Sequence, residues 1–86
     1  MYEILYSSRA AKDIKNLVNA KLDTKAKALI EIIKKNPYQN PPPYEKLVGN
    51  MKGFLSRRIN IQHRLVYTVL EDEMIVKVYR MWTHYE

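Results

Sequence analysis

Cysteine is absent, and with it go disulfides, thiolate nucleophiles, iron–sulfur clusters and every structural zinc site that needs a thiolate. Long apolar runs are missing as well: nothing approaches the roughly 18 residues of a membrane span. The N-terminal Met1-Tyr2-Glu3-Ile4-Leu5-Tyr6 lacks the basic and apolar regions of a signal peptide. These absences point to a soluble cytoplasmic protein that makes no use of a membrane. Acidic residues are in the minority, nine Asp and Glu against fifteen Lys and Arg, for a net charge of +6 over 86 residues. A chain of that length buries only roughly 60 to 65% of its extended surface. Residues 1–86 are therefore expected to form one domain, and a two-domain enzyme is excluded.

The positive excess is concentrated. Between Tyr44 and Arg64 five basic residues, Lys46, Lys52, Arg57, Arg58 and Arg64, face one acid, Glu45, whereas from Leu65 to Glu86 four acids outnumber Lys77 and Arg80. Clustered arginine suits phosphate, because the planar guanidinium holds two oxygens at once. A basic balance also serves plain solubility, so the positions of these side chains matter more than their number.

Hydrophobic spacing gives those positions. Residues Tyr2 to Tyr6 alternate as a short strand. Ser7 or Ser8 offers a capping hydroxyl, and Ala11, Ile14, Leu17 and Val18 then make the apolar stripe of a first helix, with Arg9, Lys12, Asp13 and Lys15 off it. Asp23 or Thr24 opens a second helix, with Ala26, Leu29, Ile30 and Ile33 on one face, and Asn36-Pro37 stops it. Pro41-Pro42-Pro43 reads as a stiff polyproline crossing. Three β runs follow, Phe54 to Ile61, Leu65 to Val69 and Met74 to Trp82, the last two joined by a polar turn at Glu71-Asp72-Glu73. The order β-α-α-β-β-β is an α+β fold: a twisted antiparallel sheet with both N-terminal helices on one face. The other face is left to water or a ligand.

Alternation along the first of these β runs puts Phe54, Ser56, Arg58 and Asn60 on one side and Leu55, Arg57, Ile59 and Ile61 on the other. Ile59 and Ile61 belong in the core, so Arg58 projects to the open face. In the next run Leu65, Tyr67 and Val69 are the inward set, which turns Arg64, Val66 and Thr68 outward. A hairpin around Gln62-His63 then sets Arg58 beside Arg64. Folding gains nothing from two adjacent cations unless an anion arrives, and Glu45 alone cannot neutralise both. Few groups move protons near neutral pH: His63, at the turn, is a surface residue or a phosphate contact; His84 sits among Trp82, Thr83 and Tyr85; the rest are carboxylates such as Glu45. The acidic turn is read as a solvated tip with no chemistry. For an RNA phosphodiester, metal-free cleavage needs a base for the 2′-hydroxyl, cations for the phosphorane and an acid for the leaving 5′-oxygen. Glu45, the two arginines and His84 are groups of those kinds.

Gly53-Phe54-Leu55-Ser56-Arg57-Arg58-Ile59, His63-Arg64-Leu65-Val66-Tyr67 and the terminal His84-Tyr85, with Pro43-Tyr44-Glu45-Lys46-Leu47 and Asn50 upstream, resemble the YoeB/Txe branch of the RelE/ParE toxin superfamily along the whole chain. The resemblance implies a type II toxin, a ribosome-dependent endoribonuclease that cuts mRNA in the A site without metal or cofactor. Its partner would be a YefM/Phd/Axe-like antitoxin; a homodimer is left open. By the same resemblance Glu45 is the general base, Arg58 and Arg64 the phosphate-stabilising pair, His84 the general acid, and Tyr85 a residue that orients substrate or acid. Lys46, Lys52, Phe54, Arg57 and His63 are assigned to contacts with RNA or the ribosome. Val48 stands where family members often carry a basic residue, a duty left to Lys46 or Lys52, or absent. Two readings compete: a ParE-type gyrase poison, which needs no acid–base set, and a non-catalytic basic module that binds RNA.

Overall fold

The computed structural model describes residues 1–82. Its elements are β1 (Glu3–Tyr6), α1 (Ser8–Asn19), α2 (Asp23–Lys35), β2 (Glu45–Lys46), β3 (Leu55–Arg58), β4 (Arg64–Leu70) and β5 (Ile75–Arg80). The α+β class and the order of elements agree with the spacing argument, and β2 is an added two-residue strand. The strands lie in the order β1-β5-β4-β3-β2. From β2 to β5 all neighbours pair antiparallel, but β1 pairs with β5 parallel. The sheet is thus mixed rather than antiparallel throughout. A parallel pair needs a long crossover between its strands, and the two helices together with β2–β4 supply one.

Side-chain oxygens fix how the helices sit. The Ser7 hydroxyl accepts from the Ala10 N–H at 3.0 Å, capping α1, and donates to the Tyr79 carbonyl at 2.7 Å, which ties that helix start to β5. The buried stripe of α1 is Ala10, Asp13 and Leu17, a rotation from the expected one: Ile14 is 39% and Val18 51% exposed. Asp13 is the cause. Its Oδ2 accepts from Arg80 Nε at 3.1 Å and from the Met81 N–H at 3.0 Å, so a carboxylate expected on the wet face points at the end of β5. In α2 the buried set is Ala26, Ile30 and Ile33, and no side chain caps its start. Leu17, Ile33, Leu65, Tyr67, Val76 and Val78 are closed off from water between helices and sheet, each aliphatic one contributing about 1.5 to 3 kcal/mol.

Three loops depart from the sequence reading. The Asn40–Pro41 and Pro41–Pro42 peptide bonds are cis, so the proline stretch is not a continuous polyproline helix. Beyond β3, Asn60 Oδ1 accepts from the N–H groups of Gln62 (2.9 Å) and His63 (2.6 Å). This side-chain turn ends the strand at Arg58 and leaves Ile61, expected in the core, exposed, while Ile59 stays buried. The acidic turn is a short 3₁₀ segment over Glu71–Glu73 followed by Met74 in the left-handed region, φ 56°. It is more than a solvated tip: the Glu71 carboxylate accepts from the Tyr2 hydroxyl at 3.1 Å and from the Tyr38 hydroxyl. That bond, with lesser help from burial, pushes the Tyr38 phenol up to about 12.

Candidate active site

Strand register assembles the site. Glu45 stands opposite Ser56 across β2 and β3, and Arg58 stands opposite Arg64 across β3 and β4. Directly paired residues present their side chains to the same face, with Cβ atoms about 5 Å apart. Because Leu55, Leu65 and Tyr67 occupy the helix side, Glu45, Ser56, Arg58 and Arg64 occupy the other. With Pro43 and Tyr44 they line a cleft of about 240 Å³.

Within it Arg64 Nη1 donates to Glu45 Oε1 at 2.9 Å. The Glu45 side chain is 68% exposed, and an exposed pair of this kind contributes only about 0 to 1 kcal/mol. An incoming phosphate can therefore displace the carboxylate from Arg64 at small cost. Arg58 is exposed, and its one recorded bond is a long 3.4 Å donation to the Ile61 carbonyl. Among the described residues no carboxylate pairs with it. The cation pair expected from alternation is present, with one half neutralised by the single nearby acid. Ser56 is 2% exposed and its Oγ has no hydrogen-bond partner among the described residues. Val66, expected to face solvent, shares this side of the sheet but is buried.

Arg57 behaves oppositely. Expected among the contacts to RNA, it is instead 1% exposed on the helix side. Its Nε donates to the Tyr67 hydroxyl at 2.9 Å, its Nη2 to the carbonyls of Pro37 (3.0 Å) and Gln39 (2.8 Å), and its Nη1 to the Pro42 carbonyl. The guanidinium also lies 5.0 Å from the Tyr44 ring centre, a cation–π distance. Tyr67 donates its own hydroxyl to the Pro37 carbonyl at 2.7 Å. Burial pushes that phenol up, and Arg57 draws it partly back. Arg57 thus holds the loop that leads into β2, and so holds Glu45 at the sheet edge.

His63 is corrected likewise. It is 6% exposed, with its ring stacked on Trp82 at 3.8 Å and 16°, so it is neither a surface residue nor a phosphate contact. It anchors the last described residue of the chain beside Arg64. Lys46, Lys52 and Phe54 gather in a neighbouring groove of about 700 Å³, separate from the cleft because Lys46 points to the side of β2 opposite Glu45. His84 and Tyr85 lie outside the described residues. Sequence reasoning missed Ser56 and the clamp made by Arg57. The signal for the latter was present, since alternation had already put Arg57 with Ile59, on the inner side.

Comparison with known proteins is decisive. A model of the YoeB-like toxins of bacterial type II toxin–antitoxin systems matches residues 6–85. The chain belongs to the YoeB-like toxin family. A Toxin YoeB from Synechocystis is 38% identical over 56 residues, which is 65% of this chain and 65% of that protein. The aligned stretch therefore spans a little under two thirds of that relative's length. Among solved structures, a YoeB/ParE toxin from Agrobacterium tumefaciens superposes with a TM-score of 0.87 at 28% identity, covering 96% of this chain and 99% of that one. The heterotetrameric YoeB–YefM toxin–antitoxin complex of Staphylococcus aureus matches at 34% identity and a TM-score of 0.82, covering 99% of both chains. A YoeB dimer from the same organism matches at 34% and 0.79, covering 98% of both. As a YoeB-like toxin the chain is a type II toxin–antitoxin component, and its α+β architecture is that of these relatives.

Proposed function

We propose that this YoeB-like toxin is a ribosome-dependent endoribonuclease that cuts mRNA in the A site by acid–base attack of the 2′-hydroxyl. The observation that carries the reading is the Glu45–Arg64 contact at 2.9 Å with Arg58 directly across from Arg64 in one cleft. The scissile phosphate takes Arg64 and Arg58. Glu45, released from Arg64, removes the 2′-hydroxyl proton. The 2′-oxygen bonds to phosphorus, the bond to the 5′-oxygen breaks, and a 2′,3′-cyclic phosphate forms. The two guanidiniums stabilise the pentacoordinate charge. His84 returns a proton to the leaving 5′-oxygen and Tyr85 orients it. In support, the Trp82–His63 stack starts the tail next to Arg64, and two further residues reach up to about 7 Å.

A shallow cleft of about 240 Å³ supplies little binding of its own, which suits a substrate held by the ribosome and delivered in fixed geometry. Lys46, Lys52 and Phe54 contact RNA or the ribosome from the adjoining groove. The partner is a YefM-like antitoxin whose acidic segment covers Arg58 and Arg64, homodimer formation is a second mode of association, and residues 1–86 act as one cytoplasmic toxin unit. The test is induction of the chain followed by primer-extension mapping of mRNA ends. New ends within translated codons, absent when the same protein meets naked RNA, support the reading. Unchanged mRNA with arrested DNA supercoiling would move the assignment to a gyrase poison, and RNA binding without cutting to a non-catalytic module.

A further inference from the structure

A buried hydroxyl without a partner is costly to keep, and Ser56 keeps one in the floor of the cleft. Its register partner is Glu45, whose carboxylate faces Arg64 in the free protein. The proposed reaction requires that ion pair to open, because Arg64 cannot serve the phosphate while it is held on the base. Once Arg64 turns away, Glu45 has lost its one recorded partner. Among the described residues the only charged groups lining the cleft with it are then Arg58 and Arg64, both committed to the phosphate, and Tyr44 is the other titratable one. A hydroxyl offers one donor, and that of Ser56 is unused among the described residues and about one cross-strand spacing away. We propose that Ser56 is a positioning residue that takes the Glu45 carboxylate when Arg64 moves onto the phosphate, holding the base toward the 2′-hydroxyl instead of letting it rotate into solvent.

This inference rests on the proposed phosphate role of Arg64, but it has a readout that needs no RNA. In the native background Ser56→Ala removes a hydroxyl with no bond to lose, so Tm stays the same or rises. In a background carrying both Arg58→Ala and Arg64→Ala, where no guanidinium of the cleft is left to take Glu45, the hydroxyl is engaged with Glu45, and the same change lowers Tm by about 4 °C. Adding Glu45→Ala to that pair restores the native pattern. On ribosome-bound mRNA, Ser56→Ala lowers kcat about 10-fold with KM unchanged, and Ser56→Thr, which retains the hydroxyl, recovers most of the rate. Equal Tm effects of Ser56→Ala in both backgrounds overturn the inference, as does undiminished cutting by that variant where the native chain cuts. A native chain that cuts no RNA, with the reversal of sign intact, instead removes the proposed nuclease and leaves the Ser56–Glu45 contact standing.

Discussion

Arg57 and Arg58 are neighbours in the chain and opposites in environment. The first is sealed on the helix side, its guanidinium spent on three loop carbonyls and a phenol. The second lies in solvent on the other face, across from a like charge and with one long bond to a carbonyl. One position works for folding and its neighbour is a poor choice for folding. Of the two facing cations Arg64 is paired with Glu45, and Arg58 has no carboxylate partner among the described residues.

The sharpest way to break this contrast is to truncate each arginine and measure stability and cutting together. Arg57→Ala leaves several buried acceptors orphaned, and the expected loss is about 4 kcal/mol or more. For a chain of this size that lowers Tm by more than about 15 °C, readable by calorimetry. Arg58→Ala should leave Tm within about 3 °C of the native value and reduce mRNA cutting about 10²- to 10³-fold in a ribosome assay. Similar Tm losses for the two variants would erase the distinction. Between them falls Arg57→Lys, which retains charge but not the fork that reaches several acceptors; a loss of about 2 kcal/mol in urea denaturation is expected.

The smallest effect concerns Tyr38, which sits on the same loop that Arg57 clamps. Its phenol titrates at about 12 in the fold, chiefly because Glu71 accepts its hydroxyl, against about 10 in an unfolded chain. The neutral form is the one favoured by folding, so its contribution is complete below pH 10 and disappears as pH rises through 12. Tyr38→Phe should make the fall in urea midpoint between pH 10 and 12 shallower, while Arg57 keeps the loop in place. An identical fall in both proteins would show that Glu71 contributes nothing to holding the loop.

Much of the cleft was legible because strand alternation is a strict period of two: once Ile59 is inside, Arg58 is outside, and the hairpin brings Arg64 to it. The parallel β1–β5 pair was not legible, since local spacing says nothing about which distant strand an edge will join. The rotation of α1 was hidden for a related reason. Periodicity assigned Asp13 to water, and only the approach of Arg80 and the Met81 N–H, nearly 70 residues away in sequence, makes burial of that carboxylate favourable. Ile61 was misplaced because the pattern continued past the point where Asn60 turns the chain. Alternation placed Ser56 on the side of Arg58 but gave it no role, because a lone serine in a strand carries no pattern that marks its hydroxyl as buried and unpaired.

The clamp also bears on the order in which the cleft can form. Pro37, Gln39 and Pro42 give up their carbonyls to a guanidinium in β3 and a phenol in β4, so the stretch that delivers Glu45 has nothing to dock on until both strands exist. A nascent polypeptide emerging from the ribosome that made it has no assembled site through most of its synthesis. By this arrangement the cleft is assembled only after β4 has been added to the chain.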